Sequence, residues 1–103
     1  MQYSIYLLTC KDKTEARLIA KGLLDKGLAV CVKISPVESL YIWGGKMNDD
    51  SEALLIIESS AEKFEAINEF LEKNHSYEEY VLTSLNVSQT TPGVIKWLEA
   101  ELR

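Results

Sequence analysis

The chain has 103 residues, 47% hydrophobic and 26% charged, with 16 acidic against 11 basic side chains and a formal net charge of -5. That length bounds it to one domain, residues 1–103, large enough to bury a core without disulfide or metal staples. The apolar fraction excludes a disordered chain, and the acidic balance argues against a nucleic-acid partner, which needs cations to meet phosphate.

Gln2 to Thr9 predicts a strand with both parities apolar: Tyr3, Ile5 and Leu7 on one, Tyr6 and Leu8 on the other. Lys11 to Lys26 predicts a helix, its stripe being Ala16, Ile19, Ala20, Leu23 and Leu24. Asp12 with Glu15 resembles a capping box, and Gly27 suits the residue after the helix. Ala29 to Trp43 predicts a long strand, with Pro36 marking an edge or a bulge. Gly44-Gly45 signals a hairpin, and Lys46 to Glu58 returns as the partner strand. Ser59 to Asn74 predicts a second helix opened by a Ser59–Glu62 capping box, with Phe64, Ile67 and Leu71 buried. Tyr80 to Val87 predicts a strand carrying Val81, Leu85 and Val87 on one parity. A last helix follows Thr91-Pro92, with Val94, Ile95, Leu98 and Leu102 as its stripe.

The order is that of a ferredoxin-like α+β sandwich, βαββαβ, with a long hairpin and a C-terminal helix. Right-handed crossovers put both crossover helices on one face of the sheet. Tyr6, Leu8, Leu55 and Ile57 then compete with Ile5, Leu7, Leu54 and Ile56 for that face. Whichever set loses forms an apolar patch that calls for cover by another copy of the chain, or by the terminal helix folding back.

No run approaches the roughly 18 apolar residues of a membrane helix. The start Met1-Gln2-Tyr3-Ser4 has no basic segment, so no signal peptide is expected. Two cysteines outside any CxxC pair fit a reducing compartment, the cytoplasm, and a Cys10–Cys31 disulfide is not expected.

Few residues point to chemistry. His75, the lone histidine, is a base, a metal ligand or a helix C-terminal residue. Cys31 is a soft metal ligand or a core thiol. Cys10 precedes Lys11 and Lys13, whose charges would lower its pKa, although an inert thiol is the simpler reading. Asn48-Asp49-Asp50-Ser51-Glu52 is a hard-cation site or a solvated strand edge. No nucleophile and base are paired by a motif, so an enzyme is not expected.

Tyr41-Ile42-Trp43-Gly44-Gly45-Lys46 resembles the Tyr-x-Trp-x-Gly-Lys pattern of the CutA family, the divalent-cation-tolerance proteins. Ala29-Val30-Cys31-Val32 looks like that family's Ala-x-Cys-Val, His75-Ser76-Tyr77 its His-Pro-Tyr, and Trp97-Leu98 its terminal Trp-hydrophobic pair. The resemblance covers essentially the whole chain. It implies a homotrimer paired through its long strands, with an inter-subunit cleft, and a role in tolerance of divalent metal, copper foremost. Cys31, His75 and Glu52 are then the metal-ligand candidates. Tyr41, Trp43, Lys46, Glu58, Tyr77 and Trp97 are the cleft candidates. The metal is not required for folding, and a further protein partner stays open. The alternative is a trimeric regulator, similar to the signal-transducing P-II proteins, that binds a small molecule or partner in the cleft. The sequence departs from the family at Glu58-Ser59, where Lys-Thr is usual. It also lacks both prolines and the final glutamate in His75-Ser76-Tyr77-Glu78-Glu79-Tyr80-Val81.

Overall fold

A computed structural model describes all 103 residues. Its elements are β1 (Tyr3–Cys10), α1 (Lys13–Asp25), β2 (Cys31–Trp43), β3 (Lys46–Ser60), a 3-10 turn (Ala61–Lys63), α2 (Phe64–Asn74), β4 (Thr83–Asn86) and α3 (Pro92–Glu101). The sheet order is β2-β3-β1-β4, all antiparallel, which is the ferredoxin-like arrangement expected.

The competition between strand parities is resolved cleanly. Tyr6, Leu8, Cys10, Ala53, Leu55 and Ile57 form the core with Ala16, Ile19 and Leu23 of α1 and Ile67 and Leu71 of α2. Ile5, Leu7, Leu54 and Ile56 alternate with them and so face away from the helices, half-buried. The end of the terminal helix is tied to the C-terminal end of α1, where the Arg103 N–H donates to the Gly27 carbonyl and the Arg103 guanidinium to the Asp25 carbonyl.

Local signals explain the ends of α1. The Asp12 side chain accepts from the Glu15 N–H, as in a capping box. The Glu15 carboxylate answers with the Lys11 N–H rather than that of Asp12. At the other end Leu28 N–H bonds to Leu23 and Gly27 N–H to Leu24, a Schellman motif with Gly27 at φ 69°. Gly44 and Gly45, at φ 60° and 75°, give the hairpin its tight turn.

Two expectations are corrected. The Ser59–Glu62 capping box does not form, because β3 continues through Ser60. Ser59 Oγ donates to the Leu28 carbonyl instead, and the Glu62 carboxylate accepts from the Gln2 N–H. The last strand shrinks to Thr83–Asn86, an edge strand on which Leu85 is exposed, and Val81, also exposed, falls before it. Pro36 does sit on an edge strand, since β2 pairs only with β3. From Val37–Glu52 to Trp43–Lys46 the hairpin runs beyond β1 with no third strand beside it.

Candidate metal centre

Three elements meet where β1 ends. Cys10 is its last residue, Glu15 lies in the first turn of α1, and His75 follows α2. A sulfur of Cys10, a carboxylate oxygen of Glu15 and a ring nitrogen of His75 lie within 4.8 Å of one another. Cys10 and Glu15 are buried and His75 half-buried.

Main-chain hydrogen bonds hold this group in place. The Lys11 N–H reaches Glu15 Oε1 at 3.2 Å and the Ser76 N–H reaches Oε2 at 2.8 Å. The Tyr77 N–H donates to His75 Nδ1 at 3.0 Å, so Nδ1 carries a lone pair. His75 Nε2 lies 2.9 Å from the Thr9 carbonyl oxygen, which can only accept, so Nε2 carries the proton. The ring also stacks on Tyr80 at 5.1 Å and meets Tyr77 at 4.9 Å between centroids. The Tyr77 hydroxyl in turn donates to Glu52 at 2.7 Å.

The electrostatics follow from burial and charge. Burial, then Glu15, Glu52 and Asp12, pushes the Cys10 thiol up to about 12, so that the charges of Lys11 and Lys13 do not lower it. Burial alone would raise Glu15, but the hydrogen bonds from Ser76 and Lys11 outweigh it and hold the carboxyl below its ordinary value. Burial and the bond to Glu52 raise the Tyr77 phenol. The donor set is therefore a protonated thiol, an ionised carboxylate and an imidazole whose Nδ1 accepts from the Tyr77 N–H. Sulfur, nitrogen and oxygen together suit a borderline divalent cation, for which the Cys10 thiol would have to give up its proton.

The residues proposed from the sequence divide between four places. His75, Tyr77 and Glu52 come together at this end of the sheet. Cys31 does not join them: it pairs in register with Glu58, five steps from the Ala53 that faces Cys10. There Lys33 Nζ lies 3.6 Å from Cys31 Sγ and 2.6 Å from Glu58 Oε2, and the Tyr3 hydroxyl donates to Glu58 Oε1 at 2.6 Å. Tyr41, Trp43 and Lys46 lie on the exposed hairpin tip, with the Tyr41 hydroxyl bonded to Asp50, and Trp97 is exposed on α3. Within one chain these cleft candidates do not meet.

Cys10 and Glu15 were missed as ligands. The fold order held a signal for them, because the β1–α1 turn and the end of α2 come to the same edge of such a sheet. Residues 4–101 match the family model described as CutA1 divalent ion tolerance protein.

The chain belongs to the CutA family.

A Xenopus laevis protein named Protein CutA homolog is 38% identical over 88% of this chain and 61% of its own length. The divalent-cation tolerance protein CutA of Pectobacterium atrosepticum is 35% identical over 96% of this chain and 91% of its own. The crystal structure of CutA1 from Oryza sativa, 29% identical, covers 100% of this chain and 95% of its own with a TM-score of 0.96. The chain spans 54–61% of the length of the Xenopus, mouse and human relatives. The matching family model is that of a divalent ion tolerance protein, and the Archaeoglobus fulgidus and Pectobacterium atrosepticum relatives are each named divalent-cation tolerance protein CutA.

Proposed function

We propose that this chain serves divalent-cation tolerance by binding the cation itself, as a homotrimer. The convergence of Cys10, Glu15 and His75 carries this reading. Those three residues would hold the ion, and copper or zinc suits their mixed donors. Bound there, the cation would be taken out of solution. The Cys31, His75 and Glu52 set is a weaker candidate, since Cys31 stands apart from the other two within a chain. The regulatory alternative is not favoured, because the relatives are named for cation tolerance.

The trimer is supported by what one chain leaves open. A two-stranded hairpin with no third strand is marginal in water. Its tip exposes Leu40, Ile42, Trp43 and Met47, all above 60%. Association of such arms, together with the half-buried Ile5, Leu7, Leu54 and Ile56, gives both a partner. Both thiols are free, which suits a reducing compartment such as the cytoplasm.

Equilibrium dialysis of the whole chain against Cu²⁺ and Zn²⁺ tests the binding. One ion per chain at micromolar concentration is expected, and no bound ion from either metal overturns the reading. Light scattering tests the assembly: a mass of three chains is expected, and a stable monomer at micromolar concentration would remove it.

A further inference from the structure

We propose that the chain carries a separate site for a small organic monocarboxylate, in the cavity between α1 and the base of the β2–β3 hairpin. Lys13 and Arg17 hold the carboxylate there, and Ile34, Pro36 and Ala53 take its apolar body. This site is independent of the cation-binding reading and shares none of its three residues.

The cavity measures about 380 Å³ and is lined by these five residues and Glu52. That is the small end of the range for ligand pockets, with room for one ring or a short alkyl chain. Strand register puts it on the helix side of the sheet. Pro36 lies opposite Ala53 across the ladder, Ala53 belongs to the core, and Ile34 packs against that core. The assembly proposed above uses the hairpin arms and the other face of the sheet. One chain therefore completes this site.

Lys13 and Arg17 stand four residues apart on α1, both exposed, and neither has a counter-charge. The chain's single ion pair is Lys33–Glu58, elsewhere on the sheet. The carboxylates near the two cations are engaged: Asp12 accepts from the Glu15 N–H, Glu15 from the Lys11 and Ser76 N–H groups, and Glu52 from the Tyr77 hydroxyl. Nor does the helix gain from the pair. Lys13 is the first residue of α1, where the helix dipole favours anions, and like charges four residues apart repel. Two unpaired cations beside an apolar floor offer what an organic carboxylate needs. They supply charge-assisted hydrogen bonds to one end of it, and the floor removes the other end from water. One carboxylate matches the walls better than two, because Glu52 offsets one of the two cations.

Titration of the whole chain with benzoate, followed by calorimetry and by amide resonances, tests the site. A Kd of about 1 mM or tighter is expected, with shifts at the amides of Lys13, Arg17, Ile34 and Ala53. Acetate keeps the charge and lacks the ring, and benzamide keeps the ring and lacks the charge. Each should bind at least about tenfold more weakly than benzoate. Lys13→Gln and Arg17→Gln should each weaken benzoate binding about fivefold, and the double variant should abolish it. Both side chains are exposed, so the double variant should unfold at no lower temperature than the unaltered chain. No benzoate bound at about 10 mM overturns the proposal. So does an unchanged affinity in the double variant, which would place the ligand elsewhere. Acetate or inorganic phosphate binding as tightly as benzoate also overturns it, since the apolar floor would then have no part. All titrations are run without added metal, so their failure leaves the cation-binding reading standing.

Discussion

Cys10 and Cys31 lie toward opposite ends of the sheet, each beside a carboxylate, and the two surroundings are built differently. At the Cys10 end Glu15 is held by the main-chain N–H groups of Lys11 and Ser76. At the Cys31 end Glu58 is held by side chains, those of Lys33 and Tyr3. Main-chain donors are placed by the fold itself and cost no further ordering when a ligand arrives, whereas the Lys33 side chain is 63% exposed and must be immobilised. The first end is therefore the preorganised one, although the sequence motif pointed to the second.

The largest expected contrast is in thiol chemistry. Cys10 is fully buried with its thiol raised to about 12, while Cys31 is only partly covered. Alkylation of the folded protein at pH 8, mapped by mass spectrometry, should label Cys31 faster by on the order of a hundredfold. Equal inertness of both thiols would show that the edge around Cys31 is covered by a neighbouring chain. Equal reactivity would show that the Cys10 end opens freely, and the contrast would fail.

Next comes His75→Ala. It removes the bond to Thr9, leaves the Tyr77 N–H without its acceptor and takes away two ring contacts. A loss of about 3 kcal/mol in urea unfolding is expected. A loss under about 1 kcal/mol would mean that this end is not held together as described.

Glu15→Gln should cost about 1–2 kcal/mol at pH 7, since the amide oxygen replaces an ionised acceptor. Its pH dependence has a definite sign. The folded pKa of Glu15 lies below the ordinary value, so its contribution is present above the unfolded pKa of about 4.3 and is lost as pH falls through the folded pKa. The variant should therefore flatten the acid limb of stability against pH. An unchanged limb would place the proton-linked stability elsewhere, with Glu58, also depressed, as the first suspect.

Most of the fold was legible because its signals are local. Asp12, Gly27 and Gly44-Gly45 act within a turn, and each does in the structure what its residue type implies. The face of the sheet was not legible, because Leu54 and Leu55, or Ile56 and Ile57, are equally apolar, and only the helices decide between them. Ser59 misled because a serine three residues before a glutamate also fits a strand end, and here its hydroxyl serves Leu28. The site was half legible. His75 stood out as the lone histidine. Cys10 and Glu15 carry meaning only through a neighbour some 60 residues away, which no spacing along the chain reveals.

The smallest expected effect lies at the Cys31 end. Lys33 and Glu58 meet at 2.6 Å, and burial of Glu58 would raise its carboxyl were it not outweighed by Lys33 and then Tyr3. Distance alone suggests a strong pair. Yet the lysine is largely in water, where the Coulombic gain is screened and a long side chain must be ordered. A double-mutant cycle of Lys33→Ala with Glu58→Gln should give a coupling below about 1 kcal/mol, shrinking further in added salt. Tyr3→Phe should lie in the same small range, since Glu58 keeps Lys33 as its partner. A coupling above about 2 kcal/mol that resists salt would mean the pair is withdrawn from solvent in the assembled protein. The Cys31 end would then be ordered by a neighbouring chain, as the Cys10 end is by its own backbone, and the difference between them would belong to the monomer alone.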